Sequence, residues 1–333
     1  MSLPVLIALG FGLTLTAYAL FGGADFGAGV LYLTFRREPH QRAAIARTIG
    51  PLWEAHHVWL IFSITILFSA FPAAFAALGT VLLTPFTLAL TAIVVRGVAF
   101  GLRPPGAGQA PGSRLLGGAF GVASVLAPFL FGASAAAVAQ ISTVPRPTAT
   151  PLSIPWTGLF AALVGLLAVA MCAHLAASFM TTRLHRADQA GPAQQFRRRG
   201  LQTGTALLGL SLASLLAAAW QAPALWHRLT TAALPLLVVG LLALAASLYG
   251  LWRRRYAMAR GATLLAAAAI LWGWLIAQSP RLIGTRLTIH SAAATPPALT
   301  ALAVAGGIVL VSVLPAFYLL YAIFARPSPE VTQ

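Results

Sequence analysis

A chain of 333 residues that is 59% hydrophobic and only 8% charged, with a mean hydropathy of +0.87, lies far from the composition of soluble globular domains. Its formal charge of +16 comes from 21 basic residues, every one an arginine, scattered in short groups between apolar runs, which argues against a nucleic-acid footprint. The single cysteine, Cys172, sits inside an apolar run and excludes an intrachain disulfide, a CxxC redox pair and an iron–sulfur cluster held by this chain alone.

Apolar runs near the ~20 residues needed to cross a bilayer recur from end to end. In chain order they predict nine transmembrane helices, over residues 3–34, 53–72, 78–100, 115–140, 157–181, 203–222, 231–251, 261–278 and 298–325. No basic segment precedes the first run, and it is longer than the core of a signal peptide, so it is expected to be a retained span. Phe71-Pro72 leaves room for only a short turn between the second and third spans, and the eighth span is short.

Arginines mark the connections in alternation. Arg36, Arg37, Arg42 and Arg47 follow the first span and none follows the second; Arg103 and Arg114 follow the third, and Arg146 the fourth. Arg183, Arg186 and Arg197 to Arg199 lie in the next loop, Arg228 in the one after, then Arg253 to Arg255 with Arg260, then Arg281 and Arg286, and finally Arg326. The richer loops belong in the cytoplasm, which puts the amino terminus outside and the carboxyl terminus inside. The Pro-rich stretches 103–105 and 145–155 read as connections, so residues 1–326 are expected to be one polytopic membrane domain and 327–333 a short cytoplasmic tail. Nine spans accommodate two four-helix bundles plus one further helix, although no internal repeat demands that division.

Five acids are present, and Glu38, Asp188 and Glu330 fall in cytoplasmic loops or the tail. Asp25 and Glu54 are left at or near membrane depth, where a charge costs about 2.5–3.5 kcal/mol on insertion scales and often marks a path for ions or protons. Asp25 lies about 13 Å above the inner end of its helix, Glu54 opens the second span from the same side, and Arg96 closes the third. Asp25, Glu54, Arg96, His56 and His57 are therefore expected to converge in the inner half of one bundle. Two readings stay open: a carboxylate that relays protons from the cytoplasm, and a buried Asp25–Arg96 pair that fixes helix register. The glycines in Gly22-Gly23-Ala24-Asp25-Phe26-Gly27-Ala28-Gly29 favour a packed site over a lipid-facing one.

Adjacent His56 and His57 point about 100° apart on a helix and cannot share one metal; one alone could be an axial haem ligand, but an interface histidine beside Trp53, Glu54 and Trp59 is the plainer reading. His174 and His290 have no partner at ligand spacing, so no metal site is expected. Trp156, Trp220, Trp226, Trp252, Trp272 and Trp274 lie mostly near span ends, as an interfacial belt would require. No Walker, GxGxxG, HExxH or GxSxG sequence is present. These features by themselves describe a polytopic protein with a polar site in its inner half, and they suit a stand-alone proton-coupled transporter.

Specific residues narrow the reading. Gly22-Gly23-Ala24-Asp25-Phe26-Gly27, followed by Gly50-Pro51-Leu52-Trp53-Glu54-Ala55-His56-His57-Val58-Trp59-Leu60, resembles subunit II of the cytochrome bd-type quinol oxidases. Phe71-Pro72-Ala73-Ala74-Phe75, Arg96-Gly97-Val98-Ala99-Phe100 and Leu287-Thr288-Ile289-His290-Ser291-Ala292-Ala293 extend the resemblance to the last loop. It implies a companion subunit, not catalytic alone, in the inner membrane of a bacterium. Its complex would oxidise quinol and reduce dioxygen to water with cytoplasmic protons, without pumping. The partner, subunit I, would carry haem b and haem d and complete a heterodimer, with a small accessory transmembrane subunit possible. The resemblance implies proton transfer at Asp25 and Glu54, supported by Trp53, His56, His57 and Arg96, on a fold of two four-helix bundles and a peripheral helix. Two residues depart from the pattern: His56 stands where Asn is usual, and Gly101 where an acid is usual.

Overall fold

The computed structural model describes residues 2–35, 38–49, 56–102, 111–141, 155–284 and 286–324. These form an all-helical membrane protein. Among the described residues eight helices are long and apolar enough to cross a bilayer, or nine if a bent helix pair is counted as one span.

The first bundle contains α1 (Leu3–Thr34), α3 (His57–Ala70), α5 (Leu83–Gly101) and α6 (Pro111–Gln140), with α2 (Pro39–Ile49) in the connection after α1. The second contains α7 (Leu159–Arg186), α8 (Ala190–Gln221), α10 (Leu234–Trp252) and α11 (Tyr256–Gln278), with the short α9 (Pro223–Thr230) joining α8 to α10. Helices α1 and α6 both pack on α7 and join the bundles, while α12 (Pro296–Phe324) lies outside against α1 and α3.

Close approach of α1 to its neighbours rests on its glycines. A Cβ at Gly27 would fall 1.7 Å from the Cys172 carbonyl oxygen on α7, and one at Gly29 would fall 2.0 Å from Ser124 Oγ on α6. Backbone against backbone leaves no flexible neighbour to yield, so even alanine at position 27 would force α1 and α7 to shift. The glycine pattern around Asp25 thus does what a packed site requires.

The connection between the second and third spans differs from the simple turn expected. Pro72 stops α3, and the chain turns by 117° into α4 (Pro72–Val81) before α5 begins at Leu83 rather than near residue 78. Proline lacks the N–H that would continue the ladder. At the bend the Ala70 carbonyl accepts a bond of 2.8 Å from the Ala294 amide, just before α12. The connection before α12, expected as a loop, includes a two-stranded antiparallel hairpin, β1 (Arg281–Ile283) and β2 (Leu287–Thr288). Ile283 is fully buried against Val81, Leu82 and Val138. Ser291 Oγ donates to the Arg286 carbonyl and accepts from the Thr288 amide, so the Leu287–Ala293 motif folds into a lock over the bent second span.

Three helices of the second bundle, α7, α8 and α11, are longer than their apolar runs. Helix α8 starts at Ala190, thirteen residues before the expected 203, and carries Arg197 to Arg199 on its first turns; α11 starts at Tyr256 and is 23 residues long, not a short span. The α7–α8 and α10–α11 hairpins use the same C-terminal device. Gln189 N–H bonds back to Leu184 O, and Arg255 N–H to Gly250 O, around left-handed residues Asp188 (φ 52°) and Arg254 (φ 59°). At the helix ends Trp220 and Trp252 are 83% and 62% exposed, as an interfacial belt requires, whereas Trp272 packs against Gly12 inside the protein.

Candidate functional site

Asp25 on α1, Arg96 on α5 and His56 at the entry to α3 meet within the first bundle, as the depth argument expected. An Arg96 Nη2–H donates to Asp25 Oδ1 at 2.6 Å and to the Asp25 carbonyl at 3.2 Å. Arg96 Nε–H donates to Ser124 Oγ at 2.9 Å, and Ser124 in turn donates to the Phe120 carbonyl. The guanidinium lies between the rings of Phe26 and Phe120, 5.0 and 4.9 Å from their centroids. Arg96 is 1% exposed and the Asp25 side chain 10%, so this charge pair is held in the interior by hydrogen bonds at several points of the guanidinium fork.

The other half of the site is less complete. Asp25 Oδ2 is 3.3 Å from His56 Nε2, but the angles do not make a hydrogen bond, and both atoms are buried without one among the described residues. The buried Tyr18 hydroxyl, two helical turns before Asp25, is in the same condition. Its ring packs 6.0 and 5.9 Å from those of His56 and His57, whose own centroids are 4.3 Å apart. Gly22 makes room, since a Cβ there would lie 3.0 Å from His56 Cδ2. A carboxylate with one oxygen clamped and the other turned toward an imidazole has somewhere to receive a proton and a neighbour to exchange it with.

Trp53 and Glu54, expected in this cluster, lie outside the described residues. Gly101 is the last residue of α5 and is exposed, so the backbone carries no acid into the site at that position. Sequence reasoning missed Ser124, Phe120 and Tyr18. Each is an ordinary member of an apolar run, and only the crossing of α1, α5 and α6 makes it a partner of Arg96 or His56.

His174, the other deep histidine, belongs to a second polar cluster. Its Nδ1–H donates to the Gly200 carbonyl at 3.0 Å and its Nε2 accepts from Ser247 Oγ at 2.9 Å. Thr263 Oγ1 lies 2.7 Å from Ser247 Oγ and 2.9 Å from Ser178 Oγ, and Thr182 donates to Ser178 O and Tyr256 O. With both ring nitrogens engaged, His174 has no lone pair for a haem iron. Among the described residues no three His, Cys, Asp or Glu side chains converge as metal ligands.

Comparison with known proteins gives the arrangement a family. The solved structure titled "The structure of bd oxidase from Geobacillus thermodenitrificans" superposes with a TM-score of 0.78 over 97% of this chain and 99% of that one, at 24% identity, which shows the shared fold. The cytochrome bd ubiquinol oxidase subunit 2 of Bacillus subtilis is 37% identical over 81 residues, and the cytochrome bd-I ubiquinol oxidase subunit 2 of Escherichia coli K12 is 32% identical over 92. Each of these alignments spans about a quarter of the relative's length, at 24% in both cases. The profile of cytochrome bd terminal oxidase subunit II matches residues 3–324, and the chain belongs to that family.

Proposed function

We propose that this chain is the companion subunit of a quinol:oxygen oxidoreductase in the bacterial inner membrane and that its first bundle delivers protons to the reaction. The observation that carries the proposal is the Asp25–Arg96–His56 cluster, a buried carboxylate only half satisfied, in a chain whose family match runs from residue 3 to residue 324. Quinol oxidation releases electrons and protons on the outer side, and water formation consumes protons taken from the cytoplasm. The haems b and d supply the electron transfer and oxygen chemistry, and they would be held by the partner, subunit I, in a heterodimer; a small accessory transmembrane subunit is compatible with that assembly.

In this reading the arginine-rich ends of the spans face the cytoplasm, which puts His56 and Asp25 in the inner half of the bundle. Protons enter past Glu54, exchange at the Asp25 Oδ2 and His56 Nε2 pair, and leave toward the partner. Arg96 keeps Asp25 in place and offsets its charge, while Ser124 and the flanking phenyl rings hold Arg96. His56 supplies a titratable group beside Asp25 in a chain that has glycine, not an acid, at position 101.

The test is purification in mild detergent through a tag on this chain, followed by a reduced-minus-oxidised visible spectrum and quinol-dependent oxygen uptake. A co-purifying larger subunit with haem b and d bands and quinol-driven oxygen uptake is expected. A colourless chain, from a preparation that retains its native complexes, would sink the oxidase reading and favour a stand-alone proton-coupled transporter. Within the oxidase, Glu54→Gln is expected to lower turnover with haem content intact; unchanged turnover would remove Glu54 from the route.

A further inference from the structure

A second feature lies at the opposite bundle's inner end. A cavity of about 430 Å³ opens where α7 ends and α10 turns into α11, and Arg186, Arg254, Arg255 and His185 line it. Among the described residues no carboxylate pairs with any of these arginines; the ion pairs present are those of Asp25. The first turn of α11 faces the same cavity through Tyr256, Ala257 and Met258. That turn has no acidic residue and no side-chain cap, and its N-cap position is occupied by Arg255. A helix start ordinarily attracts negative charge, because its first N–H groups have no partners in the helix. Here positive side chains are added to a positive helix end. Arg254 also occupies a left-handed backbone position, φ 59°, that a glycine would fill more easily.

We propose that this cavity is an anion site for a phosphate ester, bound by Arg186, Arg254 and Arg255 together with the exposed amides of the α11 amino terminus. Arginine forks and helix amides are complementary to phosphate oxygens, and the bound charge relieves the mutual repulsion of the cations. The site sits at the membrane boundary. Trp252, 62% exposed, and Met258, 37% exposed, flank it with apolar surface suited to acyl chains, so a phospholipid headgroup and a soluble phosphate are the two sources of the same chemistry. The inference rests on this geometry alone and is independent of the oxidase reading.

The test uses the intact purified complex and native mass spectrometry with phosphatidylglycerol, phosphatidylcholine and inorganic phosphate as separate probes. Phosphatidylglycerol is expected to bind in preference to phosphatidylcholine, and R254Q/R255Q to weaken it by about twentyfold, with R254K/R255K losing much less. If the glutamine variant fails to fold, Ala257→Glu serves instead: the exposed Ala257 tolerates a longer side chain, an acid suits a helix start, and its charge should expel the anion. Arginine-dependent binding of inorganic phosphate without phosphatidylglycerol would uphold the anion site and assign its source to a soluble phosphate. Equal binding of both lipids without phosphate binding, or anion binding unchanged by R254Q/R255Q or by Ala257→Glu, would overturn the proposal.

Discussion

The two bundles each bury a polar cluster, and the clusters are built on opposite terms. In the second bundle, His174, Ser247, Thr263, Ser178 and Thr182 are neutral or can be, and each polar atom has a partner within the protein. In the first bundle, Asp25 and Arg96 form an ion pair, and among the described residues Asp25 Oδ2, His56 Nε2 and the Tyr18 hydroxyl have no hydrogen bond. A satisfied network stabilises and specifies packing; an unsatisfied one costs stability and is retained where protons move. Under the proposed function this contrast makes the second cluster structural and the first the one through which protons pass.

Four substitutions sharpen it. The largest effect is expected from Arg96→Leu, which leaves the Asp25 carboxylate buried without its counter-charge; losses of this kind reach about 3–5 kcal/mol. Denaturation of the detergent-solubilised complex measures it, and a change below about 1 kcal/mol would mean that the pair is hydrated and not buried. Gly27→Ala comes next, near the upper end of the about 1–3 kcal/mol typical of overpacking, because the methyl meets a backbone carbonyl. A tolerated alanine would show that α1 and α7 can separate. His174→Leu is expected to cost about 1–3 kcal/mol by removing the imidazole's bonds to Gly200 O and Ser247 Oγ from a buried network, with oxygen uptake per haem unchanged. A fall in turnover per haem would move the second cluster into the working class. The smallest stability effect is expected from His56→Asn, which removes no hydrogen bond made by Nε2; its readout is slower oxygen uptake, and unaltered turnover would exclude the imidazole from the route.

Much of the fold was legible because bilayer length and arginine placement are coarse signals repeated many times. Helix α1 runs from Leu3 to Thr34, where the apolar run put it, and α12 and α10 fall within three residues of their expected starts. The misses have separate causes. Helix α8 begins before its apolar segment, since the portion from Ala190 through Arg199 is polar and helical outside the apolar run. Helix α4 hid because Phe71-Pro72 reads equally well as a turn or as a 117° bend. The hairpin at Arg281–Thr288 is too short for periodicity to register. At the site, Asp25, His56 and Arg96 stood out as ionisable groups in an apolar sequence, and the structure brings them together. Ser124 and Tyr18 could not be read, because serine and tyrosine are common in membrane helices and their importance lies in which helix faces them.

The central claim is that Asp25 moves protons and does not merely hold Arg96. The double substitution Asp25→Asn with Arg96→Gln replaces the buried ion pair by a neutral pair of similar shape, which restores much of the stability that either single change would lose. Quinol-dependent oxygen uptake per haem in that double variant is therefore the direct measurement. The account predicts an assembled complex with a normal haem spectrum and turnover at least tenfold lower, the lower range for losing a proton-transfer group being about a hundredfold if no bypass exists. Turnover recovered to the unmodified level together with stability would contradict it and reduce the Asp25–Arg96 pair to a clamp on helix register.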